Sequence, residues 1–150
     1  MTIHVDTKES STQCVSDQEF KTAISMGNLV EVRNFVEVKN QVISDDHLEC
    51  AAGNGQKEVL LYLFDKTRAF NIYEKPLFRA FHEGKTEIVT CILERDPDLL
   101  TVLTVSKKAK QYSKEYRDPH GYDTISATTH NSIIQMFDKY SHKMIARIIK

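Results

Sequence analysis

The residues best suited to catalysis lie near the end of the chain. His120 and His130 are ten residues apart, and Asp123 and Ser126 lie between them. A serine, a histidine and an aspartate are the groups that many hydrolases combine to activate a hydroxyl nucleophile. The sequence around Ser126 lacks the glycine-flanked turn that presents such a serine. A hydrolase-like enzyme, or the targeting arm of an enzyme, that uses His120, Asp123 and His130 is therefore the alternative hypothesis.

A second group of reactive side chains could bind a metal ion. It contains Cys50, Cys91, His47 and His82, whose spacings match no standard zinc-binding pattern. Both cysteines fall at inward or apolar helical positions, and the three cysteines of the chain form no C-x-x-C pair, so reduced packing thiols are expected. The stretch GNGQKE lacks the glycine spacing of a phosphate-binding loop. We therefore expect no catalytic residue, no metal and no cofactor.

Three glycines mark an internal repeat. Gly27, Gly55 and Gly84 are 28 and 29 residues apart. A large apolar residue precedes each glycine by seven positions and an alanine by four, an acidic residue follows after three or four, and two apolar residues follow after eight and nine. In the order of the copies these are Phe20, Leu48 and Leu77; Ala23, Ala51 and Ala80; Glu31, Glu58 and Glu87; and Phe35–Val36, Leu63–Phe64 and Ile92–Leu93.

Each copy predicts a short helix, a glycine turn and a second helix. The predicted first helices cover 17–26, 46–54 and 76–83, and the second ones cover 29–38, 57–66 and 86–95. Ser16 with Glu19, and Asp46 with Glu49, have the spacing of a capping box. Glycine suits the left-handed residue that closes a helix. Because helix pairs this short cannot bury their apolar faces alone, the copies must stack.

These copies resemble the ankyrin-repeat family. The family pattern T-P-L-H-x-A-A-x-x-G-x-x-E-V-V-x-x-L-L is similar to KPLFRAFHEGKTEIVTCIL at 75–93 and to DHLECAAGNGQKEVLLYLF at 46–64. It is more loosely similar to QEFKTAISMGNLVEVRNFV at 18–36, and a degenerate fourth copy is expected in RDPHGYDTISATTHNSIIQMF. The resemblance implies an all-α, ankyrin-type helix-turn-helix solenoid with an inserted segment before the last repeat.

The resemblance also implies boundaries along the chain. The array would cover 16–141, with repeats at about 16–44, 45–73, 74–100 and 118–141 and an insertion at about 101–117. Residues 1–15 are expected to be disordered, and residues 142–150 to form a C-terminal capping helix. The family's TPLH histidine is replaced by Lys21, Glu49 and Phe78. We therefore expect apolar packing to be the main force between neighbouring copies.

The expected insertion contains a basic run with interleaved tyrosines. Only Glu115 offsets the positive charges, which belong to Lys107, Lys108, Lys110, Lys114 and Arg117, and the tyrosines are Tyr112 and Tyr116. One interpretation is a solvated helix or loop whose tyrosines lean on the core. The other is a docking element for an acidic protein surface or a phosphate. A formal net charge of −1 and the absence of a reader motif argue against a nucleic-acid partner.

The row of first helices in a stack of this kind forms an extended binding surface. The leading hypothesis is an adaptor without catalysis of its own that binds one partner protein, with an acidic surface, through this row and the basic segment. The short, divergent copies are similar to those of effectors that act in a host cytosol. We expect a monomer. The predicted partner-binding residues are Met26, Asn54, Arg79, His82, Glu83, Lys107, Lys108, Lys110 and Tyr112.

Composition agrees with an ordinary globular domain. The 150 residues are 41% hydrophobic and 27% charged, and no run of about 18 apolar residues predicts a membrane span. The start MTIHVDTKESSTQC lacks the pattern of a secretory signal peptide. We therefore expect a cytoplasmic protein, in a host cytosol if a specialised secretion machine exports it.

Overall fold

A computed structural model describes residues 16–67, 71–115 and 127–149, and every regular element among them is a helix. The prediction of an all-helical chain is confirmed for these residues. None of these helices is both long enough and apolar enough to cross a membrane. A π-helical turn, Asn34–Val38, follows α2. The helices are α1 over 16–25, α2 Leu29–Arg33, α3 Asp45–Gly53, α4 Lys57–Lys66, α5 Glu74–His82, α6 Thr86–Leu93, α7 Leu99–Glu115 and α8 Ala127–Ile149.

The three repeated glycines close the first helices in the predicted way. Gly27, Gly55 and Gly84 have φ angles of 71°, 70° and 67°, in the left-handed region. At the second turn, the Gly55 amide donates to the Ala52 carbonyl at 3.2 Å and the next amide donates to the Ala51 carbonyl at 2.9 Å. The other two turns repeat both bonds, and the second bond ends each time on the repeated alanine. Such pairs of bonds satisfy carbonyls that the end of a helix leaves unpaired.

Replacing Gly27 with alanine is expected to destabilise the chain more than replacing Gly55. A side chain on left-handed backbone costs about 1–2 kcal/mol at either position. At Gly55 the new Cβ would meet Lys85 Cδ at 3.5 Å, which is an ordinary contact. At Gly27 it would lie too close to Oε1 of Gln56, whose Nε2 donates to the Ser25 carbonyl at 2.8 Å. Losing that hydrogen bond adds about 1 kcal/mol.

Urea denaturation followed by circular dichroism measures this difference between the two alanine variants. Gly55→Asn is the matched control, because asparagine tolerates the left-handed conformation and should lose less stability than Gly55→Ala. Equal losses at the two glycines would contradict the assigned contact between the first and second copies.

The helices pack in two rows. In the row of first helices, α3 contacts α5, which in turn contacts α7; in the row of second helices, α2 contacts α4 and α4 contacts α6, which in turn contacts α8, so that α7 and α8 extend the two rows. The thiol of Cys50 on α3 lies 3.2 Å from the Ser25 hydroxyl, which connects α1 to the first row. The repeated large apolar residues and alanines lie between the helices, and all six are buried: Phe20, Leu48 and Leu77, with Ala23, Ala51 and Ala80.

The segment expected to be an insertion is part of a core helix. Residues 101–115 belong to α7, which begins at Leu99, so the expected boundary at residue 100 falls inside a helix. Val102, Val105 and Ala109 recur at three- and four-residue spacing and are fully buried, and α7 contacts both α5 and α8. In the sequence, this apolar face is less noticeable than the run of lysines in the same segment. The segment therefore contributes to the core.

The residues expected to form a C-terminal capping helix are helical as far as residue 149. Residues 142–149 continue α8 without a break, because Ala127–Ile149 is one helix. The predictions made for residues 1–15 and for the start of the last repeat, 118–126, lie outside the described residues.

A buried histidine connects the first two helix pairs. His47 Nδ1 accepts the backbone N–H of Ser44 at 2.9 Å, and Nε2 lies 2.7 Å from Asp17 Oδ1. Because Nδ1 accepts, Nε2 carries the proton and donates it to the Asp17 carboxylate. Ser44 and His47 thus form the capping box of α3, and the predicted box of Asp46 with Glu49 is wrong because the helix begins at Asp45. The join between these copies therefore includes polar bonds as well as apolar packing.

The Asp17 carboxylate should make stability depend on pH. The hydrogen bond from His47 holds the pKa of Asp17 below its ordinary value, partial desolvation opposes this effect, and the positive charge of Lys21 reinforces it. A carboxyl group whose pKa is lower in the folded chain stabilises it above the unfolded pKa of about 3.9, and this contribution disappears as pH falls through the folded pKa.

Asp17→Asn should therefore lose more stability relative to wild type at pH 6 than at pH 3. The difference should stay below about 1 kcal/mol, because the Asp17 side chain is 42% exposed. Urea denaturation of both proteins at the two pH values checks this prediction. A larger loss at pH 3 than at pH 6 would contradict the hydrogen bond from His47 to an ionised Asp17.

Candidate functional site

The row of first helices carries a groove that contains two of the predicted partner-binding residues. The groove has a volume of about 230 Å³ and lies across α1, α3 and α5. Its lining carries both signs of charge, a combination that suits polar and charged groups of another protein better than an apolar ligand. The lining includes Lys21, Asp46, Glu49, Gly53, Asn54 and Arg79, and we call it the first-helix groove.

Arg79 is positioned in this groove by a glycine on the neighbouring helix. Its side chain passes over Gly53, where an added Cβ would lie 3.0 Å from Arg79 Nε. Nε is also 3.7 Å from Oε1 of Glu83, the residue directly after α5. The Arg79 side chain remains 52% exposed. The guanidinium group is thus held at the groove and is accessible to solvent.

The two cysteines of the described chain serve in packing. Cys50 is half-buried in the groove wall, and its thiol donates to the Lys21 carbonyl at 3.7 Å. Cys91 is buried, and that burial raises the pKa of its thiol and keeps it protonated. Within the described ranges, no three histidine, cysteine, aspartate or glutamate side chains gather closely enough to hold a metal ion.

Three more of the predicted residues meet where α5 ends beside α7. His82 Nδ1 lies 3.3 Å from Glu83 Oε1, and the His82 ring centroid lies 5.0 Å from that of Tyr112. Tyr112 is half-buried, with its ring edge-on to Phe81 at 5.9 Å. His82 and Glu83 remain partly accessible, so the surface that begins at Arg79 continues along α5 to α7.

Two of the three predicted lysines already have carboxylate partners within the chain. Lys108 Nζ lies 2.8 Å from Glu74 Oε1 on α5, and Lys110 Nζ lies 3.0 Å from Asp138 Oδ1 on α8. Lys107 is exposed. These ion pairs offset much of the positive charge that the basic run indicates, so α7 attracts an acidic surface less strongly than the sequence implies.

Met26 lies apart from the other predicted residues. On the side of α1 that faces α3, Asp17 contacts His47 and Ser25 contacts Cys50. Met26 is 75% exposed and lines a different groove, on the side of α1 that faces away from α3. The structure therefore separates Met26 from the first-helix groove.

Of the three residues in the alternative catalytic set, the structure describes only His130, and its side chain is buried. His130 is buried, its Nε2 donates to the His82 carbonyl at 3.3 Å, and its ring centroid lies 4.6 Å from that of Phe81. A ring enclosed in this way is not open to a substrate. His120 and Asp123 lie outside the described residues.

Sequence reasoning missed the acidic wall of the first-helix groove. Asp46, Glu49 and Gly53 follow one another at three- and four-residue spacing, which places them on one face of a helix. That spacing could have identified the acidic wall. The glycine turn that follows at Gly55 is the stronger signal in the same stretch of sequence. Comparison with known proteins finds no family model, no curated protein and no solved structure that matches this chain.

Proposed function

We propose that this chain is an ankyrin-type array that binds a partner protein through its first helices and has no catalytic activity of its own. The first-helix groove carries the proposal, because it places Asn54 and the accessible guanidinium of Arg79 together. The recurring glycine turns and the two helix rows support an array of ankyrin type.

The chemistry of the groove suggests a partner surface with both signs of charge. Lys21 and Arg79 would pair with carboxylates, and Asp46 and Glu49 with basic groups. Arginine and tyrosine are over-represented among the residues that dominate binding energy at protein interfaces. Because Lys108 and Lys110 lie 2.8 Å and 3.0 Å from carboxylates, whereas Arg79 makes only a longer contact of 3.7 Å, we propose that the partner contacts α5 first, with Lys107 and Tyr112 at the edge of the contact.

Affinity capture from cytosol with the full chain as bait tests this function. Arg79→Ala combined with His82→Ala should reduce recovery of a specific partner at least about tenfold, as expected when central interface residues are truncated. The matched control is Glu58→Ala with Glu94→Ala, two exposed residues at the second helices. Circular dichroism verifies that both variants fold.

Recovery that is equal for wild type and the Arg79/His82 variant would contradict the proposed surface. Loss of the partner from the Glu58/Glu94 control would place the contact on the second helices instead.

A further inference from the structure

The two ends of the helix array carry exposed apolar surfaces of opposite charge. At the first pair, α1 and α2 form a groove of about 490 Å³, which we call the N-flank groove. At the last pair, residues 142–149 of α8 are exposed except for Met144, which is half-buried, and we call them the C-terminal arm. Among the described helices, none precedes α1 or follows α8 to cover either surface.

The N-flank groove faces away from the rest of the array. On α1, Asp17 and Ser25 contact α3, whereas Thr22 and Met26 line the groove on the opposite side. On α2 and its π-helical turn, Arg33 and Glu37 face Tyr62 and Lys66 of α4, and the groove is lined by residues at other positions. The groove is therefore at the outer end of the first pair.

The lining of this groove is apolar with an acidic edge. Met26 supplies exposed apolar surface, Ala23 and Phe35 lie largely buried at the floor of the groove, and Glu19 and Glu31 supply negative charge. The described residues that line it include no lysine, arginine or histidine, and the nearest positive charge shown beside a lining residue is Lys39 Nζ, 4.2 Å from the centroid of the Phe35 ring. Such a groove suits an apolar side-chain row that carries positive charge beside it.

The C-terminal arm has that complementary chemistry. Ile145, Ile148 and Ile149 follow one another at three- and one-residue steps on one face of α8, and Ile148 and Ile149 are 70% and 78% exposed. Lys143 and Arg147 lie one turn apart on another face, and residues 139–149 contain no acidic side chain. The eight residues of the arm span about 12 Å of helix, or about two turns.

We propose that the C-terminal arm of one copy binds in the N-flank groove of a second copy. The isoleucines would cover the apolar lining, and Lys143 and Arg147 would approach Glu19 and Glu31. Pairing of two arms with each other would instead bring two basic segments together. A contact between different surfaces of identical chains is heterologous and can extend to further copies. This proposal therefore replaces the expectation of a monomer.

Sedimentation velocity of the full chain over about 10–500 μM tests this contact. Because the contact is small, association in the range of about 0.1 mM is expected, and it should weaken with added salt. The average mass should therefore rise above the monomer value of 17.2 kDa as concentration increases. Glu19→Lys with Glu31→Lys, and Lys143→Glu with Arg147→Glu, should each weaken association by at least about tenfold, since like charges then face each other.

An equimolar mixture of the two charge-reversed variants distinguishes this contact from others. Each groove then meets an arm of opposite charge, so association should return to within about threefold of wild type. A wild type that remains monomeric at 500 μM would overturn the proposal. So would association that survives reversal of the groove, because it would identify pairing between arms.

A wild-type monomer that cosediments with vesicles containing phosphatidylserine through Lys143 and Arg147 would overturn the proposal as well, and would assign the arm to an anionic membrane surface. The contact does not involve Arg79 or His82, so the capture experiment and this one can fail independently.

Discussion

Replacing Phe81 with alanine is expected to lower the free energy of unfolding by about 3–5 kcal/mol, the usual loss when a buried phenylalanine is truncated. Phe81 is fully buried on α5. Its ring centroid lies 5.9 Å from that of Tyr112 on α7, and 4.6 Å and 6.5 Å from those of His130 and Phe137 on α8. The truncation would leave a cavity at the junction of three helices, so the third pair would lose its packing against α7 and α8.

Urea denaturation measures this loss, and Phe78→Ala is the matched control. Phe78 lies on the same helix but is only half-buried, so its truncation should cost about 1–2 kcal/mol. Hydrogen exchange should show faster exchange in α7 and α8 of Phe81→Ala than in α3 and α4. A loss below about 1 kcal/mol would contradict the inclusion of α7 in the core.

Replacing His47 with alanine is expected to cost about 2–4 kcal/mol of stability. The ring is buried and packs edge-on against Phe20, with 4.7 Å between the centroids. The change also removes the bond to Asp17 and leaves the Ser44 N–H without its acceptor at the start of α3. Both the packing of α1 on α3 and the cap of α3 would be lost.

Thermal and urea denaturation of His47→Ala check this expectation. His142→Ala is the control, because His142 is exposed and its replacement should change stability by less than about 0.5 kcal/mol. A His47→Ala protein as stable as the His142→Ala protein would show that apolar packing alone joins the first two pairs.

Much of the fold could be predicted from the sequence because its signals are local. Gly27, Gly55 and Gly84 each adopt the left-handed conformation that a helix-closing glycine requires. The second helices were predicted at 57–66 and 86–95 and are found at Lys57–Lys66 and Thr86–Leu93. Helical periodicity and helix-end chemistry depend on residues within one or two turns, so one sequence is enough to read them.

The candidate site depends on contacts that one sequence does not display. Lys108 and Glu74 are 34 residues apart, Lys110 and Asp138 are 28 apart, and His47 and Asp17 are 30 apart. Each pair meets only because neighbouring helices lie side by side. The sequence of the basic run therefore gives no sign of its ion pairs with Glu74 and Asp138. It gives no sign of the hydrogen bond between His47 and Asp17 either. The sequence does predict Asn54 and Arg79, because each follows the repeated large apolar residue of its copy, by six and by two positions, on the exposed side of a first helix.

Hydrogen–deuterium exchange of the chain alone and in complex with its captured partner tests whether the partner binds the first helices, because it reports which helices the partner covers. Slower exchange is expected in α3 and α5 and in the turns that follow them, residues 53–55 and 82–84, with α4 and α6 little changed. Protection confined to α4 and α6 would contradict a partner surface on the first helices.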